Sequence, residues 1–343
     1  MNRRGIRRLH RFRKITQMTL DTQDRRDRRN LSESAKSADR SARFESFVPA
    51  DYNVPALVKP METFWKAGSR ILEERITIFA RLCRKTARRA TPDNIHDLRV
   101  SARRLAAAQG VFPVEELGRL KKLASRIRRK LGQLRDLDVA LENMRKLAGQ
   151  SDSGEMQAHA YLARLMSDRR ETLKKLRPML WLPMPVVTVV VTADDHKPFV
   201  SEAETQLLPQ LQAIREVMPE VSRSDNATPV HQLRICFKRL RYRLELFASA
   251  LGAHTEGWLS SCKRVQDRLG EIHDMDVLIG MLEGEWARAV GGGSPGPDIE
   301  TLLRAAWQER HRLNAVSHEA LAEDTRFVEE IERSLSPGVT EDP

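Results

Sequence analysis

From about residue 60 onward, apolar residues recur at helical spacing. Between Met61 and Arg89, the side chains of Phe64, Ile71, Leu72, Ile76, Phe79 and Leu82 fall along one side of a helix, and the Thr91-Pro92 pair ends it. The same period predicts helices over 94–111, 115–134, 137–147 and 155–176. Residues 178–195 break the pattern with three prolines and a β-branched run, which reads as a connector containing one short strand at about 184–192. Helical spacing resumes over 198–218, 230–251, 256–272, 275–289 and 298–335. The glycine-rich run from Gly291 to Gly296 reads as a flexible turn between the last two.

The two halves show the same succession of elements, and they align. At an offset of 135, IHDLRVSARRLAAAQGVF (95–112) matches VHQLRICFKRLRYRLELF (230–247), pairing His96 with His231, Arg99 with Arg234, Arg103 with Lys238 and Arg104 with Arg239. Leu98, Leu105 and Phe112 pair with Leu233, Leu240 and Phe247. At an offset of 138, LGQLRDLDVAL (131–141) matches LGEIHDMDVLI (269–279), pairing Asp136 with Asp274 and Asp138 with Asp276. Two blocks duplicated in the same order indicate an internal repeat.

Composition agrees with the periodicity. Aromatic residues make up only 5% of the 343, while Leu, Ala, Arg, Glu and Lys dominate, which argues against an all-β fold. Cys83, Cys236 and Cys262 are far apart and odd in number, so neither a disulfide framework nor a cysteine-built zinc site is expected, and a reducing, cytoplasmic compartment fits. No run of about 18 apolar residues is present to cross a membrane. The formal charge is +12, but residues 1–43 carry 14 of the 59 basic and 5 of the 47 acidic residues, a net of +9. The remaining 300 residues are nearly balanced, so total charge alone says little about the folded part. The leader reads as a disordered basic tail.

The sorting of charge says more. On a wheel of about 100° per residue with His96 at the origin, Arg99 and Arg103 fall within about 60° of it, while Leu98, Leu105 and Phe112 lie opposite. The duplicate places His231, Arg234, Lys238 and Arg241 opposite Leu233, Leu240, Leu244 and Phe247. In the following helix Lys122, Arg126 and Arg129 share a face, with Lys263, Arg264 and Arg268 in the comparable place. Ordinary solvated faces intersperse signs, whereas the two histidine-bearing faces carry no acid. Like charges repel, so a duplicated arrangement of them points to an anion that relieves the repulsion. With Asp93 and Thr228 as N-caps, His96 and His231 take the third helical position, where free N–H groups and the helix dipole favour anions. Arginines one and two turns on, about 5.4 Å apart, extend this into a ladder suited to a linear polyanion.

The D-x-D pairs, Asp136 with Asp138 and Asp274 with Asp276, read as caps of a new helix after a break rather than as Mg²⁺ ligands. Asp136 and Asp274 are also placed to orient the basic stripe by ion pairing. No phosphate-binding, dinucleotide, nucleophile-elbow or zinc-protease motif occurs, so no catalytic residue, metal or cofactor is assigned.

At these residues the chain resembles the CHAD family, the conserved histidine α-helical domain, over about residues 60–335. The carriers are IHDLRVSARRL with LGQLRDLDV and VHQLRICFKRLRY with LGEIHDMDV. The resemblance implies an all-α fold of two duplicated, pseudo-symmetric four-helix-type bundles around a basic central surface or pore. The expected organisation is a tail (1–58), a first half (59–180), a connector (181–196), a second half (197–335) and a short C-terminal tail (336–343). It also implies binding of inorganic polyphosphate and recruitment to polyphosphate granules. Family binding positions carry over to His96, Arg99, Arg103, Arg126, His231, Arg234, Lys238 and Arg264. The wider candidate set adds Arg104, Lys122, Arg129, Arg239, Arg241 and Lys263. Some members carry an N-terminal tunnel-fold triphosphatase domain marked by E-x-E-x-K; that motif is missing here, so this activity is not expected.

The leading expectation is therefore a non-catalytic polyphosphate-binding protein. A second reading is binding of RNA or DNA through the phosphate backbone, though stacking aromatics and base-reading motifs are scarce. A third, less favoured, is metal-dependent cleavage of polyphosphate. Glu271 and Asp267 stand where the first half has Gln133 and Arg129, so unequal contributions from the halves are expected.

Overall fold

A computed structural model describes residues 62–148, 154–182, 197–223, 227–291 and 297–335. The expected N-terminal tail and the expected strand at 184–192 lie outside these. The chain is all-α: α1 (Phe64–Arg88), α2 (Pro92–Val111), a 3₁₀ turn (Glu115–Leu117), α3 (Gly118–Ala148), α4 (Gly154–Leu180), α5 (Ser201–Arg223), α6 (Ala227–Leu251), α7 (His254–Gly291), α8 (Pro297–Asp324) and α9 (Phe327–Leu335). Among the described residues the extended pairing is limited to one isolated antiparallel bridge, Thr63 with Pro198.

Four expectations are corrected. The D-x-D pairs do not start new helices: α3 runs unbroken through Asp136 and α7 through Asp274, because leucines on both sides of each pair keep the apolar stripe in phase. The N-cap of α2 is Thr91, whose hydroxyl accepts from the Asn94 amide at 3.2 Å, so His96 is the fifth helical residue and its own N–H lies past the orphan donors. The fourth helix is longer than the 155–176 its spacing predicts, since α4 continues through Pro178 to Leu180. The last segment is two helices rather than one; Thr325 interrupts it, its buried hydroxyl donating to the Leu321 carbonyl at 2.8 Å.

Packing follows the order of the chain in each half, with α1 on α2, α2 on α3 and α3 on α4, then α5 on α6, α6 on α7 and α7 on α8. Between halves α2 meets α6 and α3 meets α7. The offset of 135 reappears in contacts. The Phe64 amide donates to the Lys197 carbonyl at 2.9 Å and the Phe199 amide to the Glu62 carbonyl at 2.8 Å, a reciprocal pair. Phe64 packs on Phe112 at 4.9 Å and Phe199 on Phe247 at 4.8 Å between ring centroids. Asp138 binds Arg169 of α4 at 2.5 Å and Asp276 binds Arg310 of α8 at 2.8 Å, both partners lying beyond the aligned blocks, so the second Asp of each D-x-D ties its helix to the next.

Apolar side chains form two separate cores. The larger takes α1, α2, the first parts of α3 and α7, α5, α6, α9 and the C-terminal ends of α4 and α8; the smaller takes the far ends of α3 and α7 with the N-terminal parts of α4 and α8. On α3 the larger core ends at Leu134 and the smaller begins at Leu137; on α7 the break lies between Ile272 and Met275. The two residues inside each break, Arg135-Asp136 and His273-Asp274, are polar. They mark a layer that neither core covers.

Candidate functional site

That layer is where the two basic stripes meet. The α2–α6 and α3–α7 contacts bring Arg99 and Arg103 from one half against Arg234 and Lys238 from the other. Arg135 and Asp136 enter from α3, His273 and Asp274 from α7. Five cations thus surround two carboxylates, with His96, His231 and His273 among them.

Burial and mutual repulsion act together on these groups. Desolvation, followed by Arg103, Arg234 and Arg99, lowers the Lys238 ammonium to about 6. Arg99 is lowered to about 9 by burial and then by Arg103 and Arg135, against the opposing charge of Asp136. Arg234 is lowered by burial, with Asp274 opposing. His273 falls to about 3, first through burial and then through Arg234 and His231. His96 and His231 have solvent-facing rings, yet both are held down by partial desolvation and then by their cationic neighbours, Arg135 and Arg99 for the first and Arg234 and Lys238 for the second. Asp136 and Asp274 are pushed up by burial in spite of those same cations. Two carboxylates do not neutralise the layer. The buried Nε atoms of Arg99 and Arg234, one from each half, have no hydrogen-bond partner among the described residues. An unpaired buried donor costs roughly 1–3 kcal/mol, more when charged, and an incoming anion would remove that cost.

The imidazoles of His231 and His273 touch, Nδ1 to Nδ1 at 3.2 Å, so one ring must present a bare nitrogen. This pairing suits a site that is short of acceptors.

The expected residues separate into groups. His96, Arg99, Arg103, His231, Arg234 and Lys238 converge on the layer. Arg104 does not: its side chain is 7% exposed, inside the larger core, and grips Glu245 of α6 at 2.7 and 3.3 Å. Arg241 reaches the same Glu245 at 3.3 Å and Gln266 at 3.4 Å. Lys122, Arg126, Arg129, Arg239 and Lys263 are exposed. Arg126 precedes Arg135 by nine residues, about half a turn away around α3, so the two point to different sides. Arg264 is held by Ser261 at 2.8 Å and Asp324 at 3.5 Å, and Arg268 by Asp324 at 2.7 Å. Arg135 and His273 are the site residues that the sequence reading missed. Their signal was present: they are paired by the second duplicated block, immediately before Asp136 and Asp274.

Other chemistry finds little footing. Cys83, Cys236 and Cys262 are buried free thiols, and burial raises all three, Cys83 to about 12, which disfavours the reactive thiolate. Among the described residues no group of three or more His, Cys, Asp or Glu could hold a metal ion, and no helix is long and apolar enough to cross a membrane.

Comparison with known proteins places this geometry in context. A family model described as the CHAD domain matches residues 70–283. The crystal structure of the CHAD domain from the plant Ricinus communis superposes with a TM-score of 0.51 at 18% identity, over 83% of this chain and 96% of that one. The structure of PptA from Streptomyces chartreusis superposes with a TM-score of 0.50 at 16% identity, over 77% and 99% respectively. At such identities the likeness is one of fold. No curated protein matches the sequence.

Proposed function

The chain belongs to the CHAD domain family, and from that premise we propose that it binds inorganic polyphosphate in the polar layer between its two cores, without cleaving it, and through that ligand associates with polyphosphate granules. The observation that carries the reading is the pair of half-buried arginines, Arg99 from one half and Arg234 from the other, whose buried Nε donors have no acceptor among the described residues. A phosphate chain offers a closely spaced series of charged acceptors. It supplies what five cations and two carboxylates leave unmet, and charge-assisted bonds to phosphate are about twice as strong as neutral ones.

Base recognition has little support, since none of the layer's residues is a Phe, Tyr or Trp that would stack on bases. The binding-only reading rests on the carboxylates: Asp136 and Asp274 lie among arginines, where the nearby guanidinium charges compete with any cation they would hold.

Competition binding at near-physiological salt tests the ligand. Long-chain polyphosphate is expected to displace single-stranded RNA and duplex DNA, and its failure to do so overturns the assignment. Incubation with polyphosphate and Mg²⁺ tests the absence of cleavage; phosphate release that disappears in an Asp136→Ala, Asp274→Ala variant would show an enzyme instead.

A further inference from the structure

A second basic feature lies outside the central layer. Where α1 ends and α2 begins, a cleft of about 610 Å³ is lined by Arg81, Arg84, Lys85, Arg88 and Arg89 with Thr91 and Asn94. All five cations are exposed and no acid lines the cleft. Arg81, Arg84, Lys85 and Arg88 stand at i, i+3, i+4 and i+7, which places them on one helix face.

Cations at a helix C-terminus complement its dipole, but that effect is confined to the last turn. Lys85 and Arg88 fall within it; Arg81 and Arg84 do not. Lys85 has a carboxylate partner in Asp97 at 3.6 Å, whereas no ion pair forms at Arg84, Arg88 or Arg89 among the described residues. The corner is also rigid. Asn94 donates from Nδ2 to the Arg89 carbonyl at 2.6 Å, its own carbonyl accepts from the Thr86 hydroxyl at 3.1 Å, and its amide is capped by Thr91. The side chains therefore spring from a fixed backbone, which lowers the ordering cost of binding.

The second half shows that the scaffold does not require this charge. At the offset of 135, the positions of Arg81, Arg84 and Lys85 are held by Glu216, Pro219 and Glu220 near the end of α5, while Arg88 alone of the four keeps a basic counterpart, Arg223. The same helix end can thus be built with acids. The charge of the first corner needs a separate reason.

We propose that the α1–α2 corner is a second condensed-phosphate site, separate from the central layer and specific to the first half, taking a short oligophosphate or the free end of a longer chain. It extends the reading of the central layer to a further subsite. The volume lies within the range of small-ligand sites, about 300–1,000 Å³, while a lining of five cations, two neutral polar residues and no acid selects a compact polyanion over an apolar ligand.

The test is calorimetric titration of the full chain with sodium tripolyphosphate, repeated with long-chain polyphosphate, for the unmodified protein, an Arg84→Gln, Arg88→Gln variant and an Arg99→Gln, Arg234→Gln variant, each checked for helical circular dichroism. Two tripolyphosphate binding events are expected in the unmodified protein. The corner variant is expected to lose one of them, with affinity at that site falling about tenfold or more, and to keep the other. If long-chain polyphosphate is weakened by both variants, the corner receives the end of a chain held centrally; if only by the central variant, it takes separate short ligands. A single event removed by the central variant and untouched at the corner overturns this proposal and leaves the central reading standing. A single event removed by the corner variant alone supports the corner and overturns the central reading. Absence of any event overturns the corner site.

Discussion

His231 and His273 meet at 3.2 Å through their Nδ1 atoms, the first on α6 and the second on α7, with Arg234 and Lys238 acting on both rings. Two protonated imidazoles cannot make this contact, because each nitrogen would then carry a hydrogen. The site therefore keeps at least one ring neutral, and burial first, then the neighbouring cations, decide which. His273, more enclosed than His231, is lowered to about 3. In a histidine-labelled sample followed by NMR, His273 is expected to stay neutral between pH 5 and 8, and added polyphosphate is expected to raise its pKa. A protonated His273 at pH 6 in the ligand-free protein would contradict this picture of the cluster.

Removing the stripe is expected to separate binding from folding. Replacing Arg99, Arg103, Arg234 and Lys238 with glutamine should weaken polyphosphate binding by orders of magnitude while the helical circular dichroism survives. The single change Lys238→Met goes further: it removes an amine whose charge burial and then Arg103, Arg234 and Arg99 oppose, so the protein should melt higher, by about 2 °C or more. A lower melting temperature would mean that the charge is structurally compensated.

Affinity should depend on pH in a stated direction. Lys238 titrates near 6 in the free site, far below the ordinary lysine value, and a bound polyanion restores its charge. Binding therefore takes up a proton above that pH and weakens as pH rises from 6 to 8, by up to about tenfold per unit for one group. For ligand-free stability the sign is opposite: between about 6 and the unfolded lysine value the unfolded chain binds more protons, so stability rises with pH. Lys238→Arg, charged throughout, should flatten the affinity profile in a titration series.

Arg104 should behave as a structural residue. Its ion pair with Glu245 is buried on both sides and joins α2 to α6. Arg104→Ala would leave Glu245 with the longer Arg241 ion pair among the described residues, and denaturant unfolding should show a loss of about 3 kcal/mol or more. Among correctly folded molecules, polyphosphate affinity should change little. A large affinity loss at unchanged stability would return Arg104 to the binding surface.

Two glycine substitutions should have opposite signs. A Cβ on Gly68 would collide with Cδ1 of Phe112, a ring already packed by Phe64 at 4.9 Å. Gly68→Ala is expected to destabilise by about 1–2 kcal/mol. Gly110 has nothing within 4 Å of an added Cβ, so Gly110→Ala should be neutral or stabilising by up to about 1 kcal/mol in the same unfolding assay.

Much of this was legible in the chain. Leu98 and Leu105 on one face of α2, and Phe112 at its C-cap, are buried as their spacing predicts, because a helix converts sequence interval directly into azimuth. The duplicated blocks located His96 and His231, Arg99 and Arg234, and Arg103 and Lys238 before any coordinates. Helix boundaries were less legible: an Asp after a Leu-Gly stretch reads locally as a cap, yet the two cores on either side of Asp136 and Asp274 hold α3 and α7 straight through.

The sequence by itself determined the helical class, the internal repeat and which side of each helix is cationic. Those are properties of one helix at a time. Only the tertiary structure decided which cations share a surface, because that depends on which helix packs beside which. Arg104 and Arg103 are neighbours in sequence, but about 100° of rotation sends one into the core against Glu245 and the other into the polar layer. Arg135 and His273 joined the site for the converse reason: the gap between the two cores falls at their positions, and crossing helices carry them to the histidine-bearing stripes.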